Sequence, residues 1–473
     1  MNYFKYEMIS SYYESLIKEG TLKAGEKMPS LRKVCSEKKI SMATAELAYA
    51  MLISKELIVS KPKSGFIVTN FRLTKARLPK ASNPQTKALN SGPEDVAINI
   101  YDTINQNDFI QLSLGIPALN SLPVEALKKC LKQTITINNN DTIQYERTEG
   151  NDLLRYQIAK RFIPVSCNVT KEDVVTTSGC INSLSLCLQS ITRAGDTIAV
   201  ESPTYFGILQ LAKQLSLKVI ELPTHPKTGI ILNKLEDVLK NEKIGAIIIV
   251  SNFSNPTGYC MPEEQKKKMA EIANIYETPL IEDDIYGDLY FGENRPTSCK
   301  AYDTAGMVLL CSSFSKTLAP GFRTGWILPG KYKDNVLRTK TILQISNTSI
   351  TQHAVGLFLQ SGKYEKHLKS LRKTLYSNYL RMAKIISEHF PSGTKFSQPE
   401  GGLFMWIELS ENIDAYELYK KAIQKNIVIA PGRMFSFQNQ YSNCIRLSFC
   451  LEWTNDVEKA IHHLGMLASN CSG

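Results

Sequence analysis

Short apolar runs alternate with stretches of helical spacing from residue 110 to near the end of the chain. Runs such as 244–250 have the length and the β-branched content of strands, and helical stretches lie between them. Because consecutive parallel strands need a crossover, usually a helix, this alternation predicts an α/β domain with a mainly parallel sheet. Six of its strands are predicted at 173–177, 197–200, 218–222, 246–250, 279–282 and 308–312.

The first 71 residues follow a different pattern. Apolar residues at helical spacing predict a first helix, and Ser30 and Ser41 are suitable N-caps for a second helix over 31–38 and a third helix after it. The order helix, helix, turn, helix and then a hairpin of 57–60 and 66–69 predicts a winged helix-turn-helix domain. The inner faces of the first and third helices are predicted as Ile9, Tyr12, Tyr13 and Leu16, and as Ala43, Leu47, Ala50 and Met51.

Residues 72–107 lack sustained periodicity, which predicts a linker between the winged helix (1–71) and the large domain (108–473). If flexible, its roughly 35 residues would span about 30–35 Å. Charge is divided near the same boundary, because residues 1–91 hold 16 basic and 7 acidic residues whereas residues 92–473 hold 40 and 38. The basic N-terminal part indicates a negatively charged partner, nucleic acid or membrane, although a solvated Lys-rich surface would give the same composition.

Composition excludes several classes of protein. The content of 43% hydrophobic and 21% charged residues is not typical of disordered chains. The apolar runs are far shorter than the roughly 20 residues that cross a membrane, and the first residues lack the apolar core of a signal peptide. Eleven scattered cysteines without a Cys-x-x-Cys pair favour neither a disulfide framework nor a metal site. We therefore expect a reduced, cytoplasmic protein without a metal.

Seven residues of the N-terminal domain are candidates for DNA contact. A helix-turn-helix places the start of its second helix in the major groove, where Arg binds guanine bidentately and lysines attract phosphates. The candidates lie at that helix start, on the preceding helix and on the wing: Arg32, Lys33, Ser41, Thr44, Lys61, Lys63 and Gly65.

Three motifs of this domain resemble the GntR-type winged helix. They are Gly20-x-Leu22-x-x-Gly25-x-x-Met28-Pro29-Ser30-x-Arg32, Ser41-x-x-Thr44 and Lys61-x-Lys63-Ser64-Gly65-Phe66-x-Val68. Many members of that family carry Arg directly after the serine that opens the recognition helix, where this chain has Met42. Specificity is therefore expected to rest more on Arg32, Thr44 and the wing.

Four separated motifs of the large domain fit an aldehyde cofactor that carries a phosphate. Ser178-Gly179-Cys180 opens a helix, whose N–H groups and dipole attract a phosphate. Asn255-Pro256-Thr257-Gly258 and Asp283-x-x-Tyr286 follow strands and face the crevice of a parallel sheet. Ser313-x-Ser315-Lys316 offers an amine for the aldehyde, with Arg323 seven residues later for the phosphate. Each motif alone also fits a turn, a helix cap or a surface charge.

In this order the motifs resemble fold-type I pyridoxal-phosphate enzymes of the class I and II aminotransferase group, from about Leu112 to Phe449. The resemblance implies a large mainly parallel-sheet domain, a smaller α/β domain and pyridoxal 5′-phosphate as the cofactor. It implies catalytic roles for Lys316, which binds the cofactor covalently, for Asp283, which pairs with the pyridine nitrogen, and for Tyr286, which bonds the ring oxygen.

The same resemblance implies the remaining site residues. Tyr205 is implied to stack on the cofactor ring, and Tyr145 to reach the phosphate of the neighbouring subunit. Arg446 is implied to hold the substrate carboxylate, with Gly115 and Asn255 beside it. The implied phosphate contacts are Ser178, Gly179, Cys180, Ser313 and Arg323, and Asn255 is implied to contact the cofactor as well.

A GntR-type winged helix, a linker and an aminotransferase-like domain in one chain resemble the MocR subfamily of transcriptional regulators. This resemblance implies binding of double-stranded promoter DNA, tuned by pyridoxal phosphate or an amino-acid or amine effector. It also implies a homodimer in which the DNA-binding domains cross between subunits. The alternative is a working aminotransferase of an amino acid and a 2-oxo acid, since no identified catalytic position is missing. A membrane-surface protein is disfavoured, because no amphipathic helix has one cationic face.

Overall fold

The structure is a computed structural model that describes residues 5–18, 21–23, 25–54, 57–61, 65–69, 77–89, 100, 102–103, 106, 108–137, 143–163, 167–438 and 440–470. Within these residues, no helix is both long enough and apolar enough to cross a membrane. In chain order they form a small helical domain, an extended segment over 77–89 and a large α/β domain.

The N-terminal residues fold as a winged helix, as the sequence predicts. Helices α1 (Lys5–Lys18), α2 (Leu31–Lys38) and α3 (Met42–Ser54) precede an antiparallel hairpin of β1 (Ile58–Lys61) and β2 (Gly65–Val68). The predicted caps form, since the hydroxyls of Ser30 and Ser41 each accept a hydrogen bond at 3.2 Å from the N–H three residues later. The buried core is Ile9, Tyr13, Met28, Val34, Ala45, Ala48, Tyr49, Leu52, Ile58 and Val68.

The predicted inner faces of two helices in this domain are partly wrong. Tyr12 of α1 is 45% exposed rather than buried. On α3, Ala43, Leu47 and Ala50 face outward, and the opposite face, which carries Tyr49, is buried. Because α3 is apolar on nearly every side, spacing alone does not select its inner face. The ring of Tyr49 decides it by packing edge-on against two other aromatic rings of the core.

The large domain is built around an eight-stranded sheet. The strands of the whole domain, including those outside this sheet, are β3 (Ile110–Gln111), β4 (Val175–Thr177), β5 (Thr197–Ser202), β6 (Lys218–His225), β7 (Gly229–Ile230), β8 (Ile244–Ile249), β9 (Leu280–Asp283), β10 (Val308–Ser313), β11 (Gly325–Leu328), β12 (Lys395–Phe396), β13 (Phe404–Glu408), β14 (Ile427–Val428), β15 (Ala430–Pro431) and β16 (Cys444–Ser448). The large sheet has the order β4-β11-β10-β9-β8-β5-β6-β7, and only β11 and β7 run against the rest. The predicted mainly parallel sheet is confirmed.

A smaller sheet, β12-β13-β16-β15, is entirely antiparallel and forms the second part of the domain. Strand β3 pairs with β14 nearby. The helices of the large domain are α4 (Val124–Ile137), α5 (Asp152–Lys160), α6 (Cys180–Ile191), α7 (Phe206–Gln214), α8 (Leu232–Asn241), α9 (Glu263–Ile275), α10 (Lys333–Gln344), α11 (Ser349–Gln360), α12 (Lys363–His389), α13 (Ala415–Ile423) and α14 (Asn455–Ser469). The long helix α12 runs from the region of the large sheet to α14 of the smaller part.

Residues 77–89 of the predicted linker lie against the large domain. The Ser82 N–H donates to the carbonyl of Thr224 at 2.9 Å. Leu89 and Val219 exchange two backbone hydrogen bonds of 3.0 and 2.9 Å, so the segment continues the edge of β6. The end-to-end span estimated above for a freely flexible linker therefore does not apply to residues 77–89.

Candidate cofactor site and nucleic-acid interface

The parallel strands of the large sheet end around one cavity of about 130 Å³. Strands β9 and β10 end at Asp283 and Ser313, so both side chains reach the same edge. The first turn of α6 and the small-domain strands β13 and β16 complete the walls. Of the residues predicted from sequence, those that line the cavity are Gly115, Cys180, Tyr205, Asn255, Asp283, Tyr286, Ser313, Lys316, Arg323 and Arg446.

Lys316 lies just beyond β10 with its amine held in the cavity wall. Its Nζ donates to the carbonyl oxygen of Gly115 at 2.7 Å. Desolvation lowers the pKa of Lys316 below its usual value, and the nearby Arg446 guanidinium acts in the same direction. A Cβ at Gly115 would lie 2.5 Å from the ring of Phe404, so only glycine brings this carbonyl so close. The arrangement favours the neutral amine that attack on an aldehyde requires.

Asp283 is buried at the floor of the cavity. Its Oδ1 accepts hydrogen bonds from the Cys180 thiol at 3.2 Å and from the Ile285 N–H at 3.0 Å. Burial raises the pKa of Asp283 to about 6. A protonated pyridine nitrogen in the cavity would stabilise the carboxylate form. The sequence implied a phosphate contact for Cys180, and the structure adds a contact of its thiol with Asp283.

Asn255 hydrogen-bonds both to Tyr286, which is implied to contact the cofactor ring, and to Arg446, which is implied to hold the substrate carboxylate. Its amide Nδ2 donates to Tyr286 Oη at 3.3 Å, and its Oδ1 accepts from Arg446 Nη1 at 2.7 Å. Arg446 is only 2% exposed, and its guanidinium lies 4.2 Å from the centre of the Phe404 ring. Arg446 Nη2 donates to the carbonyl of Ser113. Both of these acceptors are neutral, and a substrate carboxylate would add a charge-assisted hydrogen bond to the guanidinium.

The phosphate-facing end is formed by the start of α6 and by Arg323. Arg323 Nη2 donates to the carbonyl of Ser178 at 3.0 Å, and Nη1 donates to Ser315 Oγ at 3.2 Å. Gly179 has φ +107°, and a Cβ there would lie 2.4 Å from Arg323 Nη2. Glycine is therefore required for the guanidinium to lie over this helix start, where N–H groups attract anions.

Sequence reasoning missed one side chain at this end. Asn347 lies just before α11, and its Nδ2 donates to Ser178 Oγ at 2.8 Å. No motif marks Asn347, because it is 169 residues away from Ser178 in the chain. Ser178 and Gly179 thus flank the cavity and are held by Asn347 and Arg323.

The two predicted tyrosines occupy different places. Tyr205 lines the cavity directly before α7, and its role of stacking on the cofactor ring stays a prediction. Tyr145 is 81% exposed and does not line the cavity of its own chain. Its predicted role concerns a neighbouring subunit and stays a prediction.

The predicted DNA contacts lie on one small domain. Arg32 and Lys33 are exposed at the start of α2, and Lys33 lies 3.7 Å from Glu37. The hydroxyls of Ser41 and Thr44 are 2.8 Å apart and bond each other at the start of α3. Gly65 opens β2 with φ +85°, whereas Lys63 and the side chain of Lys61 lie outside the described residues.

Comparisons with known proteins follow the same division of the chain. Residues 5–68 match the family of bacterial regulatory proteins of gntR type, and residues 107–464 match the aminotransferase class I and II family. The HTH-type transcriptional regulator YjiR of Escherichia coli K12 is 32% identical over 461 residues, 98% of each chain. The aromatic-amino-acid aminotransferase 1 of Thermococcus litoralis is 30% identical over 371 residues, 76% of this chain and 88% of that enzyme.

A solved structure gives the same result for the large domain. The kynurenine aminotransferase of Pyrococcus horikoshii superposes with a TM-score of 0.74 and 28% identity, covering 80% of this chain and 95% of that one. Fold and site therefore define a class of protein, a DNA-binding winged helix joined to an aminotransferase-type cofactor domain. The chain belongs to the GntR-type transcriptional regulators that carry a class I and II aminotransferase domain, the MocR subfamily.

The cofactor of this domain is pyridoxal 5′-phosphate, and the residues present fit it. The helix start and Arg323 fit the phosphate, Asp283 fits the pyridine nitrogen, and Lys316 fits the aldehyde. When bound, the cofactor supplies an electrophilic carbon and an electron-withdrawing ring. The protein's own residues orient the ring, keep the lysine amine available and place a guanidinium for a carboxylate.

Proposed function

We propose that this protein is a transcriptional regulator whose binding to promoter DNA depends on the state of its pyridoxal-phosphate site. Lys316 binds the cofactor, and an amino acid or amine that reacts there is the effector. The winged helix binds double-stranded DNA. This activity belongs in the cytoplasm, where promoter DNA and reduced cysteines coexist.

One helix carries this proposal, because α12 contacts both functional parts. Near its start, Tyr364 Oη donates to Thr317 Oγ1 at 2.7 Å, and His367 Nε2 lies 2.6 Å from the Thr317 carbonyl oxygen. Thr317 directly follows Lys316. Less than one turn after His367, Lys369 Nζ lies 3.2 Å from Glu7 of α1. A displacement at the lysine therefore has a short mechanical path to the DNA-binding domain.

A homodimer is part of the same proposal. Tyr145 is too exposed to serve the site of its own chain, and its loop precedes Thr148, whose carbonyl accepts from the buried Lys340. The loop is thus anchored to its own chain while the side chain of Tyr145 is exposed to solvent. A residue that reaches the site of a neighbouring subunit needs both properties. If the DNA-binding domains exchange, the contact between α1 and α12 forms between subunits and couples them.

The test is a gel shift with the DNA upstream of the chain's own gene. Binding is measured with and without pyridoxal phosphate, and then with a panel of amino acids and amines. We expect a sequence-specific complex whose midpoint moves by about fivefold or more on adding the cofactor or one amine. A protein that binds this DNA no better than unrelated DNA would contradict the proposal.

A working aminotransferase is the second candidate, favoured by the intact arrangement of Lys316, Asp283 and Arg446 in one cavity. The enzyme of Thermococcus litoralis shows that this domain type supports such turnover in a relative. Incubation with an amino acid and a 2-oxo acid, followed by detection of the new amino acid, tests it. Turnover without specific DNA binding would favour the enzyme over the regulator.

A further inference from the structure

The outward face of the recognition helix α3 carries no basic side chain among its described residues. Its exposed positions are Met42, Ala43, Glu46, Leu47, Ala50 and, at the far end of the helix, Ile53. Met42 is 41% exposed and Leu47 is 53% exposed. The face is therefore apolar apart from one carboxylate, which is unusual for a surface that meets a polyanion.

These apolar side chains are not needed for the core of the domain. The inner face of α3 is filled by Ala45, Ala48, Tyr49 and Leu52, all of them buried. Leu47 lies on the opposite side, in contact with water. At the helix start, the hydroxyls of Ser41 and Thr44 lie 2.8 Å apart and bond each other. Beyond them, the exposed face consists of Met42, Ala43, Leu47, Ala50 and the carboxylate of Glu46.

The exposed basic residues of this part of the domain lie on α2 and in the turn before α3, rather than on the exposed face of α3 itself. Arg32 and Lys33 are exposed at the start of α2, and Lys38 and Lys39 are exposed at its end, in the turn that leads into α3. This charge pattern is complementary to a double helix, whose phosphates flank a groove of base edges. A second protein would need acidic side chains next to an apolar surface, whereas DNA presents phosphates beside base edges along its whole length.

We infer that α3 recognises the 5-methyl groups of thymine in the major groove. This inference rests on the proposed function. The thymine methyl is the apolar group on the major-groove edges of bases, so Leu47 and Ala43 discriminate by burying it. Glu46 accepts from the N4 amino group of cytosine and is repelled by the two acceptors of guanine. The flanking cations supply affinity through phosphates, and α3 supplies sequence preference.

The experiment begins with selection of binding sites for the full-length holoprotein from a random duplex library. We expect sites with thymines at fixed positions, in contact with α3. Thymine is then replaced by uracil at those positions, which removes one methyl and leaves every hydrogen-bonding group. Each removed methyl is expected to weaken binding about three- to fourfold, the equivalent of one buried methylene.

Two variants test whether the preference for thymine comes from the exposed face of α3. Leu47→Ala is expected to reduce the preference for thymine over uracil to the part that Ala43 supports, and its salt dependence should equal that of the parent. Ile53→Ala, an exposed apolar residue at the far end of α3, should retain the preference for thymine. Parent protein that selects sites but binds uracil duplexes equally well would overturn the inference while leaving the regulator intact. Failure to select any site would overturn both.

Discussion

The protein binds two kinds of anion, and the two sites are built differently. At the cofactor site, Arg323 is clamped by Ser178 and Ser315 over Gly179, so the donors converge before any phosphate arrives. On the winged helix, the cations of α2 are exposed, and they lie on a different helix from the apolar face of α3. A small anion would be held by a few preorganised hydrogen bonds, whereas a polymer is held by many separate charges.

The largest expected effect is the loss of the covalent attachment. In Lys316→Ala, no amine remains at the end of the cavity, so the visible absorbance band of the bound cofactor should disappear. It is measured after addition of pyridoxal phosphate and gel filtration. Lys213→Ala, an exposed lysine of α7, serves as the matched control. An unchanged band in Lys316→Ala would remove the lysine from its assigned role.

Raising the salt concentration should weaken DNA binding much more than cofactor binding. DNA affinity should fall by roughly 10³-fold between about 50 and 200 mM salt if six phosphates are contacted, because counterions are released. Affinity for the cofactor should change far less, since its donors are fixed and one small ligand releases few counterions. Fluorescence anisotropy and cofactor titration at each salt concentration provide the two curves. Parallel curves would contradict the distinction between the sites.

Gly179→Ala tests whether the phosphate end is preorganised. The new Cβ would meet Arg323 Nη2 at 2.4 Å on a backbone with φ +107°, so cofactor affinity should fall by about 10- to 100-fold. Gly321→Ala is the control, because a Cβ there meets nothing within 4 Å. Both affinities come from titration with pyridoxal phosphate. Equal affinities in the two variants would show that the clamp is not needed.

Arg32→Ala should give the smallest of these effects. Loss of one guanidinium on α2 should weaken DNA binding by about 5- to 100-fold and leave the cofactor band unchanged. Arg193→Ala removes the same charge from an exposed position on the large domain. If both variants bind a selected duplex as the parent does, Arg32 has no part in recognition.

The fold was largely predictable from sequence, because the spacing of apolar residues differs between the strands and the helices of the large domain. The predicted strand starts lie within two residues of those observed, as for 279–282 against Leu280–Asp283. The inner face of α3 was not predictable, since nearly every side of that helix is apolar and only the packing of Tyr49 selects one. The pairing of residues 77–89 with β6 also has no local signal.

The cofactor site was predictable where its residues share a motif. Asp283 and Tyr286, and Ser313 and Lys316, follow strand ends, so topology alone brings them together. Asn347 has no motif, and the contact of the Cys180 thiol with Asp283 depends on how α6 packs on β9. Such contacts are set by tertiary packing rather than by spacing.

The most direct test of the central claim is the coupling of the two sites. DNA affinity of the parent protein and of Lys316→Ala is measured by anisotropy with and without pyridoxal phosphate. We expect the cofactor to change the parent's affinity by about fivefold or more and to leave the variant unchanged. An equal response in both proteins, or none in the parent, would contradict regulation through the aminotransferase-type site.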